Sequence, residues 1–137
     1  MREALYNRCL TRQALTFAVR TNGTVNGTSV DLGVYGNDFR TVLFIVAAAT
    51  ITDGSHAVTL QESTDGTTWT AVPAEKRIGA LPTIVAANDD TLFEFGYVAG
   101  TAQYVRLVAT TTGATTGGEF GAVAVLGEAS SSPVARA

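Results

Sequence analysis

The sequence predicts an all-β chain: an antiparallel two-sheet sandwich or jelly roll of seven to eight strands with an extended N-terminal arm. Three observations predict it. Apolar and polar residues alternate over several short stretches, a period of two that a strand uses and a helix does not. Turn pairs punctuate those stretches at Asn22-Gly23, Asn26-Gly27, Asp53-Gly54 and Asp65-Gly66. The 137 residues include 21 Thr and 14 Gly but a single Lys, a composition that favours strands and turns over helices.

Each element follows in order. The first 14 residues (MREALYNRCLTRQA) carry no clear apolar stripe and read as an arm. Residues 15–20 and 29–32 are short strand candidates. Residues 39–50 (FRTVLFIVAAAT) form an apolar run that reads as a central strand buried on both faces. Residues 56–63 (HAVTLQES) alternate, with Val58 and Leu60 opposite Thr59 and Gln61. Residues 67–72 (TTWTAV) alternate again, with Trp69 opposite Thr68 and Thr70. Joined by Asp53-Gly54 and Asp65-Gly66, these three strands read as a meander. Asp65 caps its turn through backbone amides, Gly66 supplies a positive φ, and Trp69 packs beneath.

Pro73 and Pro82 bracket a loop, and residues 86–90 make a turn. Residues 91–98, 103–110 and 120–126 are the last strands. The Gly-rich 113–118 (GATTGG) reads as a flexible hairpin loop. The expected boundaries are 1–29 for the basic arm and first short strands, 30–127 for the sandwich body, and 128–137 for an extended or flexible tail. The expected core is Leu43, Ile45, Val58, Leu60, Trp69, Phe95, Val105, Leu107 and Val123.

Charge divides the chain. Residues 1–20 hold Arg2, Arg8, Arg12 and Arg20 against Glu3, a net of +3. The remainder holds five basic and eleven acidic residues, a net of −6. The arginines are thus candidate partner contacts, reaching an acidic surface such as a neighbouring copy. Dispersed arginines without a Lys-rich run argue against nucleic acid. The longest apolar run, 42–49, is far short of the roughly 20 residues a membrane span needs.

Chemistry finds no residues. One cysteine, Cys9, permits no internal disulfide, and the lone His56 lies far from it in sequence. Asp31, Asp38, Asp53, Asp65, Asp89 and Asp90 sit mostly beside Gly or Asn, where Asp forms turns. They lack the spacing of a calcium loop. No nucleophile elbow, phosphate loop or metal-binding His pair occurs. The expectation is no catalysis, no metal and no cofactor.

Two stretches carry a resemblance. Residues 51–72 (ITDGSHAVTLQESTDGTTWTAV) are the first; 96–98 (GYV), 104–108 (YVRLV) and 112–127 (TGATTGGEFGAVAVLG) make up the second. Together they resemble a family of small structural proteins of tailed bacteriophages and prophages, usually encoded near the major capsid protein. The resemblance covers about residues 30–127 and implies a virion β-sandwich without enzymatic activity. The reading it supports is a capsid decoration, or cement, protein. Such a protein, made in the host cytoplasm, sits on the outer surface of the capsid. Its partners are the major capsid protein and its own copies, most simply as a trimer. Few charges protect 103–110 and 120–126 as sheet edges, so copies are expected to cover them. The alternatives are a tail or baseplate component, and a carbohydrate-binding module whose platform is Trp69, Tyr35, Tyr97 and Tyr104.

Overall fold

The computed structural model describes residues 4–136, so Arg2 lies outside the described residues. A four-residue helix, α1 (Leu5–Arg8), precedes eleven strands. Seven are substantial: β1 (Leu10–Arg20), β2 (Gly23–Asn26), β4 (Thr41–Ile51), β5 (Ser55–Ser63), β9 (Leu92–Val98), β10 (Tyr104–Thr112) and β11 (Gly118–Gly127). The other four are two-residue bridges: β3 (Val30–Asp31), β6 (Thr70–Ala71), β7 (Arg77–Ile78) and β8 (Thr83–Ile84). The bridges explain why more strands form than alternation alone reveals: two residues are too few to show a period.

Sheet one has the order β1-β11-β4-β9-β7. Sheet two runs β2-β10-β5-β6, with β3 added on β10 and β8 on β5. All pairings are antiparallel. The core lies between the sheets. Sheet one contributes Val42, Phe44, Val46, Phe95, Tyr97, Phe120, Ala122, Ala124 and Leu126; sheet two contributes Val58, Leu60, Val105, Leu107 and Ala109. Phe44 and Phe95 stack with ring centroids 5.5 Å apart.

Several expectations are corrected. β1 is longer than the short strand expected at 15–20 and takes up much of the segment expected as basic arm and first short strands. β1 pairs with β11 from Leu10 to Arg20 and buries Leu10, Ala14 and Leu15. Two register shifts bring the adjacent Ala14 and Leu15 both inside, which conceals the strand from a search for strict alternation. The meander does not form. β4 pairs with β11 and β9, whereas β5 pairs with β10, β6 and β8, so Asp53-Gly54 carries the chain from one sheet to the other. The 113–117 segment is likewise a crossover between β10 and β11, not a hairpin. β10 lies between β2 and β5, and β11 between β1 and β4, so neither is the edge it was expected to be.

β4 is central but buried on one face only. Val42, Phe44, Val46 and Ala48 point inward, while Leu43 is 38% exposed and Ile45 half-buried. Val123, also expected in the core, is 38% exposed on β11. A two-layer fold covers one face of each sheet, and an apolar run does not say whether a third layer exists. Trp69 is half-buried and outside the core. The expected strand 67–72 shrinks to β6 because Asp65 takes the amides of Thr67 and Thr68 into the turn.

The tail is ordered against the body. Val134 belongs to the core cluster, and its amide donates to the carbonyl of Asn7 (2.8 Å).

Candidate interaction surface

Parity along the strands decides what each outer face presents. On sheet one the register places Gln13, Val123, Ile45 and Glu94 in one row, and Thr11, Val125, Leu43 and Gly96 in the next. Gly121, Ala47 and Leu92 form a third row, and Gly127, Thr41 and Val98 a fourth. Ile78 lies beside Gly96 at the β7 edge. Phe17 lies over Gly121, where an added Cβ would fall 2.6 Å from its ring. The result is a continuous aliphatic face in which Phe17 (51% exposed), Leu92 (68%) and Ile78 (61%) flank a block of Leu43, Ile45, Val123 and Val125. Its outward strand positions carry two carboxylates, Glu94 and Glu119, and no Lys or Arg. Soluble monomers rarely leave such a patch bare.

Sheet two presents the opposite. Its outward positions include Thr24, Asn26, Thr59, Gln61, Arg106 and Thr110. The Thr24 and Thr110 hydroxyls lie 3.4 Å apart. Arg106 donates to Gln61 Oε1 through Nε (2.9 Å) and Nη2 (2.7 Å), and its guanidinium lies 4.2 Å over the Trp69 ring. The Asp65-Gly66 turn folds against this face. Asp65 Oδ1 accepts from the Thr67 (2.8 Å) and Thr68 (2.9 Å) amides and from Ser63 Oγ (2.9 Å). Those donors, Thr68 first, hold the Asp65 carboxyl below the ordinary carboxylate value. Gly66 has φ +78° and lies against the Tyr104 ring.

The second Asp-Gly pair works over a longer range. Asp53 Oδ1 accepts from the amides of Gly117 (2.7 Å), Thr115 (3.0 Å) and Thr116 (3.1 Å). These donors, Gly117 first, lower its pKa. Asn22 Oδ1 accepts from the Ala114 amide (2.8 Å). The β1–β2 and β4–β5 connections therefore both grip the β10–β11 crossover. Gly54, at φ +90°, sits beside Ala114. The fully buried His56 bridges Thr111 Oγ1 (2.7 Å) and the Asp53 carbonyl (3.0 Å). Asp53 was legible as a turn former; its partners, more than sixty residues away, were not.

The basic residues do not form one patch. Arg12 lies 4.9 Å over the Tyr35 ring. Arg20 is 8% exposed, lies 5.2 Å over the Phe120 ring, and donates from Nη2 to the Thr16 carbonyl. Burial lowers its pKa. Arg8 is exposed on α1. Of the named arginines, Arg12 and Arg20 are thus engaged with aromatic rings of their own body.

A cleft of about 620 Å³ between residues 32–40 and 99–103 has one carboxylate in its lining, Asp38, and neither His nor Cys. Among the described residues no three His, Cys, Asp or Glu side chains gather as a metal site. No helix among them is long and apolar enough to cross a membrane.

No protein-family model and no curated protein matches the chain. Solved structures do. The infectious bursal disease virus VP2 subviral particle aligns at TM-score 0.50 and 17% identity over 87% of this chain and 32% of that one. The structure of the Gx strain of that virus aligns at 0.49 and 18%, with the same coverage. This chain spans about a third of the viral chains it matches. At this identity the likeness concerns the fold.

Proposed function

We propose that this chain is a virion structural protein without enzymatic activity, a capsid decoration or cement protein that docks on the head shell through the outer face of sheet one. The observation that carries the reading is that face: an aliphatic surface on a stable two-layer body, where folding itself requires no apolar residue. The fold supports it, because a jelly-roll body serves as a virion building block in a viral capsid protein. Charge selects the occupant. A second copy laid face to face brings the same two carboxylates, Glu94 and Glu119, and no base to meet them. A shell surface with basic groups around an apolar centre satisfies both, so the major capsid protein is the proposed partner.

Neighbouring copies then meet at edges, most simply as a closed trimer. β2 is the exposed, uncharged edge of sheet two, and all four of its residues are exposed. β1 is protected by its register shifts and by the Thr28 amide, which donates to the Ala14 carbonyl (2.9 Å). Many modest contacts across capsomer boundaries add up through avidity.

Less supports the carbohydrate alternative: of its platform, Tyr104 is half-buried with its ring against Gly66. Tyr97 is fully buried and donates to Glu62 Oε1 (2.7 Å); burial, with Glu62, raises its pKa. Trp69 and Tyr35 each have a ring face under an arginine.

The test is binding to undecorated capsids followed by cryo-EM of the particles. The expected result is density on the shell with sheet one facing the capsid. Density confined to the tail, or a shell-bound copy with sheet one facing solvent, overturns the reading.

A further inference from the structure

The loop between β3 and β4 is anchored at its ends and strained in its middle. Leu32 and Phe39 are buried, and the Phe39 amide donates to the Leu32 carbonyl (2.8 Å). That bond closes a loop of residues 33–38. Within it Tyr35, Gly36 and Asp38 have positive φ (55°, 78° and 54°). Gly36 adopts such a φ freely, but a bulky Tyr does so where its surroundings impose it. The local backbone bonds at the turn are modest: the Gly36 amide donates to the Gly33 carbonyl (3.0 Å) and the Asn37 amide to the Val34 carbonyl (3.2 Å).

The stronger hold comes from almost a hundred residues away. Asn37, at the end of the turn, is 3% exposed. Its Nδ2 donates to the Ala135 carbonyl (2.8 Å), and its Oδ1 accepts from the Ala135 amide (2.8 Å). Its carbonyl accepts from the Ser130 amide (3.0 Å) and Oγ (2.9 Å). All of these partners lie on the C-terminal segment, which Val134 seats in the core cluster. Without that segment, the bond left to the Asn37 side chain among the described residues is Nδ2 to the Val34 carbonyl (3.0 Å), inside the loop itself. A buried amide stripped of its partners is costly, and a strained turn has no reserve to offset the loss. Residues 130–133 are exposed, so the segment can lift without disturbing the sheets.

We propose that residues 130–135 are a latch for the 33–38 loop: its left-handed turn exists only while the C-terminal segment of the same chain is seated. The latch is felt in two places. Asp38 lines the cleft of about 620 Å³, and the Tyr35 ring lies under the Arg12 guanidinium of β1 at 4.9 Å. Opening the latch displaces both. The coupling is reciprocal, so whatever loosens the loop loosens the tail by the same factor. The device goes beyond the decoration reading and does not depend on which surface meets the shell.

Amide exchange of the full-length protein, followed by NMR, tests it. The tail is perturbed without touching the loop. Ala135→Pro deletes the amide that donates to Asn37 Oδ1, and Ser130→Ala deletes the hydroxyl that donates to the Asn37 carbonyl; both leave Val134 in place. The expected result in Ala135→Pro is exchange at residues 34–38 faster by at least about tenfold, with β4, β5, β10 and β11 unchanged. Ser130→Ala should give a smaller rise at the same residues, and the double variant the largest. Asn37→Ala should in return speed exchange at residues 130–135. Unchanged exchange at 34–38 in the double variant overturns the latch, because the loop then holds itself. Acceleration across the sheets that matches the loop in every variant also overturns it, because the segment is then part of the core and no separate element.

Discussion

The two outer faces of this sandwich obey one folding rule and end up chemically opposite. In both sheets, alternate residues turn inward and make the core. Outward, sheet one shows Leu43, Ile45, Val123 and Val125, whereas sheet two shows Thr59, Thr110, Gln61 and Arg106. Sheet two demonstrates that this fold tolerates a polar exterior. The aliphatic exterior of sheet one is therefore not a folding requirement, and solvent exposure penalises it. Under the proposed function, an interface is the physical reason to keep it.

The sharpest test uses adjacent residues on β4. Phe44→Ala, on the inward side, should destabilise by about 3–5 kcal/mol through a core cavity. Leu43→Ala, one residue away, should cost under about 1 kcal/mol, as for a partly exposed position. Thermal or denaturant unfolding measures both, and equal losses would mean that sheet one is covered within the monomer.

The next test turns the faces against each other in binding. Leu43→Asp should weaken shell binding at least about tenfold, the equivalent of 1.4 kcal/mol, with little change in melting temperature. Thr59→Asp on sheet two should leave binding unchanged. Loss of binding in the sheet-two variant alone would exchange the roles of the two faces.

Trp69→Ala tests how sheet two is finished. A half-buried ring beneath Arg106 should contribute about 1–2 kcal/mol, from partial burial and the cation–π contact. A fully buried tryptophan would cost about 3–5 kcal/mol on removal. Calorimetry of the variant separates the two values.

The smallest effect is the pH dependence of the Asp-Gly turns. Asp53 and Asp65 have folded pKa values below the unfolded value of about 3.9. Their contribution is fully present above that value and is lost as pH falls through the folded pKa. Melting temperature should thus drop below about pH 4. The drop should be smaller in Asp53→Asn, which titrates no longer. Removing Asp53 should also loosen 113–117, read as faster amide exchange at Thr115, Thr116 and Gly117. Removing Asp65 should loosen only its own turn.

What the sequence alone determined is local. Alternation marked 56–63, 91–98 and 103–110 as strands, and Val58, Leu60, Phe95, Val105 and Leu107 as core, because the pleat ties side-chain direction to a period of two. Asp-Gly marked corners at 53–54 and 65–66, because Gly alone adopts positive φ freely while Asp caps nearby amides. Tertiary structure decided the rest. A corner does not state whether its two strands pair or part to different sheets, so Asp53-Gly54 read as a hairpin and is a crossover. An apolar residue does not state whether its face is covered, so Leu43 and Val123 read as core and lie on the surface. β1 was hidden because its register shifts break the period, and β11 rescues the strand by pairing with it along its length. In each case the deciding partner is far away in sequence: Thr115–Gly117 for Asp53, β11 for β1, and the missing third layer for the outer face of sheet one.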